Sequence, residues 1–366
     1  MNFSKSMSIK HTLLDVARYC YYSFFNDRHK FNMARYHSCE LRKPWLIMRT
    51  ELKALKKYWG CIPMQYYTHD FYRADCKLTL DEMKSYIPGY YFYNIIYNNF
   101  DDVKKAKGAL ENKILSYFVF KGMGYQSSHV IAFKKDDFIF SAVGQFIDND
   151  TFLKVITALN CPKIFIKPVE GKGGVGILIA KKNDQQFFVG NELLTLKFLR
   201  DLKGDFLIEQ KVEQVDYLNA VYPHSVNTLR AVTKRNFSGE VQLIAVTLRM
   251  GTSGREVDNS HLGGLLIGID LKTGQPLRNH AGYEYGAEMV FNHPDTNYCF
   301  ASLKIKNWLD IKNSIVGYGE QMLLQNLIGW DIAITERGPL VIEANTMFGL
   351  DHSQSGVGGM RDLFDK

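Results

Sequence analysis

The sequence has no long hydrophobic segment. None of its apolar runs approaches the ~20 residues that a membrane-spanning helix needs. Near the start, Leu13–Ala17 is followed at once by Arg18, so this stretch is too short for the apolar part of a signal peptide. We therefore expect a cytoplasmic protein without a transmembrane segment.

Cysteine is sparse and scattered. No Cys-x-x-Cys pair occurs, and no histidine cluster lies beside any cysteine, although zinc sites and disulfide frameworks show such close spacing. We expect free thiols and neither a zinc centre nor a disulfide scaffold. The six cysteines are at positions 20, 39, 61, 76, 161 and 299.

Several nucleotide-binding signatures are also missing. No Gly-Lys is followed by Ser or Thr, so a Walker A loop is absent, and the His-Arg-Asp and Asp-Phe-Gly motifs of protein kinases do not occur. No nucleic-acid motif and no internal repeat is visible. The 366 residues are 46% hydrophobic and 23% charged, which is ordinary for a globular protein with two or three cores.

The net charge of +7 favours an anionic partner without identifying it. A nucleotide, a phospholipid surface, nucleic acid or an acidic polysaccharide would each satisfy this charge. Basic residues are dense in the N-terminal third, among many tyrosines, where they could face an acidic glycan or an anionic membrane, or only form solvated helix faces. They are Arg18, Arg28, Lys30, Arg35, Arg42, Lys43, Arg49, Lys53, Lys56 and Lys57.

Patterning divides the chain into three parts. Residues 1–105 are predicted to be mainly helical, residues 106–205 mix helix and strand, and residues 206–366 alternate strands with a helix near Lys304–Leu327. The helical spacing of apolar residues in the first part is clearest in Thr12–Phe25 and Ile47–Trp59.

A hairpin is predicted near the C-terminus. The runs Ile-Ala-Ile and Leu-Val-Ile flank the polar segment 336–339, which indicates two strands joined by a turn. Side chains alternate along a strand, so Glu343 and Asn345 point to the same face. If the hairpin is centred on Arg337, Asp331 lies opposite Glu343, with Cβ atoms roughly 5 Å apart.

This hairpin would bring two carboxylates and an amide oxygen together between apolar strands. Like charges are unfavourable there unless a cation joins them. An oxygen-only set suits Mg²⁺, which takes one or two carboxylates and leaves other positions to water and phosphate. The alternative is a surface hairpin with scattered acids, and the apolar runs around both acids argue against it.

A glycine-rich turn lies upstream. The apolar runs Ile164–Pro168 and Ile177–Ala180 enclose the segment 170–176, whose glycines can present backbone N–H groups to phosphate oxygens. Lys167 and Lys172 add positive charge on either side. The Gly-x-Gly-x-x-Gly spacing is not followed by a helix, as a dinucleotide fingerprint requires. A flexible hairpin without a ligand is the alternative.

These features resemble the ATP-grasp fold of carboxylate ligases. The shared elements are Lys-Pro before a glycine-rich hairpin and a downstream Asp…Glu-x-Asn set. The resemblance covers roughly residues 105–355 and implies an α+β fold, with two lobes gripping ATP and a mainly helical N-terminal region. Segments 225–230, 257–259, 263–264 and 269–274 look like the branch described as sugar-transfer-associated ATP-grasp.

The resemblance implies a set of nucleotide contacts. Lys113 and Lys167 would contact phosphates, residues 171–176 would form a mobile lid, and the backbone of residues 206–212 would pair with adenine. The ribose contact is left open among Glu213, Gln214 and Asp216. The implied cofactor-binding residues are Lys113, Lys167, Glu170, Gly171, Gly173, Gly174, Gly176, Glu209, Gln210, Lys211, Val212 and Asp216.

The resemblance also implies catalytic and metal roles. Arg230 and Arg249, with Lys172, would face the γ-phosphate or an acyl phosphate. Independently of the resemblance, the polar, turn-rich loop 258–264 could bind the acceptor, with His261 taking a proton from the amine. His352 is a similar candidate, and a solvated histidine is the alternative. Some relatives carry an arginine two residues before the metal aspartate, where this chain has Gly329. The implied metal ligands are Asp331, Glu343 and Asn345, for two Mg²⁺ ions or for Mn²⁺.

The function implied is an ATP- and Mg²⁺-dependent ligase that joins a carboxylate to an amine through an acyl phosphate. Its substrates would be small or sugar-linked molecules of surface-polysaccharide or cell-envelope biosynthesis. Two alternatives stay open: an ATP-dependent kinase of a sugar or polyol, and a non-catalytic scaffold of a polysaccharide assembly complex.

Overall fold

The computed structural model shows a helical N-terminal region followed by two antiparallel sheets with helices against them. None of the described helices is long and apolar enough to cross a membrane bilayer. The structure describes residues 9–100, 103–171, 173–259, 263–283 and 288–364.

The N-terminal region is built from short and medium helices. Its elements are α1 (Ile9–Phe25), α2 (Asp27–Ser38), α3 (Trp45–Trp59), α4 (Gln65–Thr68), α5 (Leu80–Lys84), α6 (Gly89–Tyr91), a π-helical turn (Phe92–Ile96) and α7 (Tyr97–Phe100). The helices predicted at Thr12–Phe25 and Ile47–Trp59 are confirmed by α1 and α3. Gly60 ends α3 with a left-handed φ of 70°, a conformation that glycine adopts without strain.

The first sheet follows the N-terminal region. Its described strands are β1 (Val130–Lys135), β2 (Phe138–Ser141), β3 (Lys163–Pro168), β4 (Leu178–Asn183), β5 (Gln186–Val189), β6 (Glu192–Leu193) and β7 (Phe206–Gln210), in the order β2-β1-β7-β3-β4-β5-β6. Its helices are α8 (Val103–Glu111), α9 (Lys113–Gly122), α10 (Asn149–Ala158) and α11 (Leu196–Asp201). The boundary predicted after residue 205 stays a prediction, although β7 lies in the middle of this sheet.

The second sheet carries the C-terminal hairpin. Its described strands are β8 (Leu229–Arg235), β9 (Val241–Met250), β10 (Leu265–Gly268), β11 (Gly282–Tyr283), β12 (Leu327–Thr335) and β13 (Gly338–Asn345), in the order β11-β10-β9-β8-β12-β13. The helices of this part are α12 (Asp216–Asn219), α13 (Trp308–Gln321), α14 (Leu350–Val357) and α15 (Arg361–Phe364), with a 3₁₀ turn at Phe300–Ser302.

Apolar layers on both faces fix the second sheet in place. Ile315 of α13 belongs to a core with Val246 and Trp330 of the sheet. In a second core, the N-terminal Trp59 and Phe92 belong with Ile244 and Phe348. The N-terminal region is therefore part of the packing that supports the second sheet.

The helix predicted near Lys304–Leu327 is shorter than expected. It spans Trp308–Gln321, and Leu327 is already the first residue of β12, paired with Lys234. The apolar residues after Gln321 extend the helical pattern in the sequence. The chain leaves the helix because Leu327 is buried in the sheet instead.

One glycine allows α14 to pack closely on the second sheet. A Cβ atom at Gly268 would lie 2.3 Å from the carbonyl oxygen of Gly356 in α14. Because backbone cannot yield as a flexible side chain does, Gly268→Ala should cost about 1–3 kcal/mol of unfolding free energy or more.

Thermal unfolding monitored by circular dichroism measures this loss of stability. Gly317→Ala is the matched control, since Gly317 lies within α13 and no atom is within 4 Å of the added Cβ. The control should gain about 0.5–1 kcal/mol from the higher helix propensity of alanine. Equal midpoints for the two variants would contradict the close packing.

Candidate active site

The C-terminal hairpin places Asp331 opposite Glu343, as predicted, and Gly329 opposite Asn345. It reaches this register differently from the predicted hairpin centred on Arg337. The turn pairs Thr335 with Gly338, and a bulge between Asp331 and Ile332 then shifts the register by one residue. An extra residue of this kind re-aims side chains. The bulge therefore brings the two carboxylates side by side.

Two arginines from neighbouring strands hold Asp331. Arg230 is the partner of Asp331 across β8 and β12, and its Nε donates to Asp331 Oδ1 at 2.6 Å. The Nη2 atom of Arg249, from β9, lies 3.0 Å from Asp331 Oδ2. Both oxygens of this buried carboxylate are therefore neutralised by guanidinium groups.

The two carboxyl groups differ in pKa because their surroundings differ. Burial opposes ionisation of Asp331, but the charges of Arg230 and Arg249 outweigh it and lower its pKa to about 2. Burial, and then the negative charge of Asp331, raise the pKa of Glu343, although nearby basic side chains oppose the shift. The nearby positive charge thus does not fully offset burial and the Asp331 carboxylate when Glu343 is ionised.

The residues at this position fit a magnesium ion. Asp331 and Glu343 supply carboxylate oxygens and Asn345 an amide oxygen, all of the hard type that Mg²⁺ prefers. The Nδ2 atom of Asn345 is buried without a hydrogen-bond partner in the described part of the chain. Within that part no three His, Cys, Asp or Glu side chains form a metal-binding group, so an amide would be needed as the third ligand.

The two predicted phosphate lysines lie near these acids. Lys167, at the end of β3, forms an ion pair with Glu209 of β7. Lys113, the first residue of α9, donates from Nζ to the carbonyl oxygen of Gly171 at 2.6 Å. Both lysines line the same cleft as Asp331. With Arg230 and Arg249, the structure therefore brings together basic groups from four separate elements, α9, β3, β8 and β9.

This cleft has a volume of about 480 Å³ and is lined by both apolar and charged side chains. A nucleotide combines the same two kinds of group, an apolar base and an anionic phosphate chain. The apolar lining residues include Phe120, Phe165, Leu207, Val212 and Val341, and the charged lining residues are Lys113, Lys167, Glu209, Arg230, Arg249, Glu256, Asp258, Asp331 and Glu343.

The glycine-rich loop lies against a loop of the second sheet. Gly173, Gly174 and Gly176 have φ values of 66°, 77° and 77°, which residues with a Cβ rarely adopt. Asn259 donates from Nδ2 to the Gly173 carbonyl oxygen, and Val257 packs within 3.6 Å of where a Cβ at Gly174 would lie. The predicted lid therefore joins β3 and β4 of the first sheet and contacts the loop between β9 and β10 of the second.

Some predicted residues do not line the cleft, and two lie outside the described residues. Lys172 and His261 are the two that the structure does not describe. Asp216 is exposed in the first turn of α12 and accepts from Asn219 at 3.5 Å, and Glu170 is exposed. The cleft lining does not include Glu170, Gly176, Lys211 or Asp216.

The predicted pairing of adenine with the backbone of the hinge segment 206–212 stays a prediction, and the paired strands limit where it could occur. Strand β7 has β1 on one side and β3 on the other, so its backbone is already paired. The backbone N–H of Gln210 donates to the carbonyl oxygen of His129 at 3.0 Å, and the backbone N–H of Lys211 donates to the carbonyl oxygen of Lys163 at 3.2 Å. Val212 is the first residue after them and lines the cleft. Val212 is therefore the first residue at this end of the segment whose backbone N–H could contact adenine.

Sequence reasoning assigned no role to the residues that hold Arg249. Its Nη2 donates to Thr228 Oγ1 at 2.6 Å, and its Nε lies 3.5 Å from Asp258 Oδ2. Thr228 in turn donates its N–H to Asp258 at 3.1 Å. Thr228 and Asp258 lie in the segments 225–230 and 257–259, which resemble the ATP-grasp family. This resemblance was the available sequence signal for their role.

The absence of an arginine at Gly329 has a steric reason. A Cβ atom there would lie 2.5 Å from the Cβ atom of Phe348, so no side chain fits. Phe348 is buried in the core shared with the N-terminal helices. Arg249 reaches Asp331 from β9 instead. Among the described residues, Arg230 and Arg249 are the arginines that line the cleft.

The chain belongs to the sugar-transfer associated ATP-grasp family, since the model of this family matches residues 104–361. Its fold is accordingly the α+β ATP-grasp fold, preceded by a mainly helical N-terminal region. The match starts and ends close to the limits of the resemblance read from the motifs. A comparison with curated proteins found no match.

Solved structures give matches of low identity. D-alanyl-alanine synthetase A from Vibrio cholerae O1 biovar eltor is 13% identical, with a TM-score of 0.40, over 72% of this chain and 62% of that chain. The biotin carboxylase–βγ-ATP complex from Campylobacter jejuni is 10% identical, with a TM-score of 0.42, over 71% of this chain and 46% of that chain. The chain therefore spans less than two thirds of the length of either protein.

We expect opposite stability changes from neutralising the two paired carboxylates. Glu343→Gln should raise the thermal midpoint at neutral pH, because a raised pKa means that the ionised form destabilises the fold. This cost is absent below the ordinary carboxyl pKa and grows as the pH rises through the raised pKa. The gain from the variant should therefore shrink in acid.

Asp331→Asn should lower the midpoint, at a cost of about 3–5 kcal/mol, because two buried arginines lose their partner. The stabilisation from Asp331 is present above its ordinary pKa and is lost as the pH falls through about 2. Calorimetry without nucleotide or metal, at several pH values, measures both variants. Shifts of the same sign at neutral pH would contradict the charge distribution described.

Proposed function

We propose that the protein is an ATP- and Mg²⁺-dependent ligase that joins a carboxylate to an amine through an acyl phosphate. The observation that carries this proposal is the convergence of Lys113, Lys167 and two arginines on a buried carboxylate pair in one cleft. Membership of the ATP-grasp family supports it. A carboxylate is a poor electrophile, and activation by phosphate overcomes that limitation.

In the first step, an oxygen of the substrate carboxylate attacks the γ-phosphorus of ATP, and ADP leaves with the electrons of the broken P–O bond. Two anions must approach each other, so the protein has to offset charge and align the partners. Lys113 and Lys167 would contact the phosphates. Arg230 and Arg249 would hold the transferred group. Magnesium on Asp331, Glu343 and Asn345 would supply further positive charge to the phosphate oxygens.

The basic groups are held in position before nucleotide binds. Lys167 has Glu209 as partner, Lys113 has the Gly171 carbonyl, and Arg230 has Asp331. Nucleotide binding would exchange some of these contacts for phosphate oxygens. Because the side chains are already ordered, little further conformational entropy is lost on binding.

In the second step, the amine attacks the acyl carbon, and inorganic phosphate leaves with the electrons of the broken C–O bond. The amine nitrogen then gives up a proton. His352, which is buried and lines the cleft, is the described candidate for its acceptor, and His261 stays a prediction. The loop 171–176 would exclude water and so protect the acyl phosphate from hydrolysis.

The substrate class rests on the family description, which associates these proteins with sugar transfer. We propose that the carboxylate or the amine is part of a sugar-linked molecule of surface-polysaccharide or cell-envelope biosynthesis. Amidation of a uronic acid and attachment of an amino acid to a sugar are the two reactions with the required groups. A cytoplasmic location, where ATP is available, belongs to the same proposal.

Trapping with hydroxylamine tests the acyl phosphate. Purified protein with Mg·ATP, hydroxylamine and pools of uronic acids or amino acids should form a hydroxamate and release ADP and phosphate in equal amounts. Lys113→Ala should lower the rate by about 10²–10³, the typical loss for one preorganised charge. Lys121→Ala is the matched control, because Lys121 is on the same helix, α9, and exposed.

Other outcomes would overturn the ligase assignment. A stable phosphorylated product without free phosphate would make the protein a kinase of a sugar or polyol. Failure to bind Mg·ATP in titration calorimetry would favour a non-catalytic scaffold. Equal losses in the Lys113 and Lys121 variants would remove Lys113 from the nucleotide site.

A further inference from the structure

Helix α1 packs on the protein with its polar side. Asp15 is buried, and its carboxylate accepts from Arg18 Nη2 at 2.8 Å and from the backbone N–H of Ile62 at 2.6 Å. The guanidinium of Arg18 also lies over the ring of Tyr90, 4.8 Å from its centroid. The inward face of α1 is therefore attached to the rest of the protein by hydrogen bonds and charged contacts instead of by apolar packing.

The outward face of α1 is apolar. Leu13 is 66% exposed, Phe24 71% and Phe25 69%, and Val16 and Tyr21 are exposed as well. Leu13 and Phe24 are eleven residues apart, three helical turns, and so lie on one stripe. An amphipathic helix of a water-soluble domain normally turns this stripe toward the core. In α1 the arrangement is reversed.

More exposed apolar side chains follow in the same part of the chain. Trp45, Leu46 and Ile47 open α3 and face solvent, as do Phe31 and Leu41. Of the 27 large apolar side chains exposed among the described residues, eleven lie between residues 13 and 47. These side chains are concentrated in one segment of the sequence, and those on α1 form a continuous stripe of the kind that marks a contact surface.

The same segment carries the positive charge of the chain. Residues 9–60 contain eleven Lys and Arg against four Asp and Glu, an excess of seven that equals the net charge of the whole protein. Some of these cations have acidic partners within the fold, but several are exposed. The exposed ones include Lys10, Arg42, Arg49, Lys53, Lys56 and Lys57.

We propose that α1 and the first turn of α3 bind the surface of an anionic lipid bilayer. The side chains of Phe24, Phe25 and Trp45 would enter the interface between headgroups and acyl chains, with the exposed lysines and arginines at the lipid phosphates. Aromatic and aliphatic residues beside Lys and Arg are the composition of helices that lie in this interface.

The charges favour this partner over two others. A second copy of the chain would bring the same excess of positive charge against itself, which is repulsive. An acidic glycan would satisfy the cations but would leave the exposed leucine and phenylalanine side chains in water. A lipid surface meets both requirements at once.

Vesicle flotation of the full chain tests the proposal. The protein should float with vesicles that contain phosphatidylglycerol, bind vesicles of phosphatidylcholine alone much more weakly, and lose binding as salt rises. The double variant Phe24→Ser/Phe25→Ser should weaken binding about tenfold or more per side chain. Lys53→Gln/Lys56→Gln should weaken it about fivefold per charge at low salt.

The matched control is Leu309→Ser/Leu323→Ser, which removes apolar side chains 66% and 80% exposed on the C-terminal part. Its binding should equal that of the unchanged protein, and thermal unfolding should show that all variants fold. Absence of binding to anionic vesicles, or equal losses in the two double-serine variants, would overturn the proposal. A dimer in sedimentation velocity that Phe24→Ser/Phe25→Ser dissociates would instead identify a second copy as the partner.

Discussion

The candidate site depends on one buried carboxylate that two arginines neutralise. Asp331 is buried on β12, an inner strand of the second sheet, where an isolated charge would be strongly unfavourable. Arg230 and Arg249 from the next strands make its ionised form stable and are themselves oriented by it. The strand order β9-β8-β12-β13 therefore determines which four side chains meet, since each strand contributes one of them, with Glu343 as the fourth.

The part of the site that depends on local pattern could be predicted from the sequence. Alternation of side chains along a strand was enough to place Glu343 opposite Asp331. The prediction succeeded although the turn lies half a residue from the assumed centre, because the bulge next to Asp331 compensates for the difference. A bulge has no clear sequence signal here, so its contribution became visible only in the structure.

Features that depend on contacts between distant segments were not predictable. Arg249 is positioned by Thr228 and Asp258, which lie about thirty residues apart in the chain. Strand β7, which precedes the predicted adenine contact, lies between β1 and β3, and a single sequence does not give this strand order. Likewise, apolar residues continue beyond Gln321, so the end of α13 is set by burial of β12 and not by the helical pattern.

The paired arginines have a consequence for the order in which ligands enter. Both oxygens of Asp331 already accept hydrogen bonds from guanidinium groups, so a free divalent ion would meet positive charge before it reached the carboxylate. An ion bound to a triphosphate brings anionic oxygens, which can bind Arg230 and Arg249 in place of Asp331. If the proposed function is correct, we therefore expect cation and nucleotide to bind as one complex, with free magnesium unable to fill the cleft in advance.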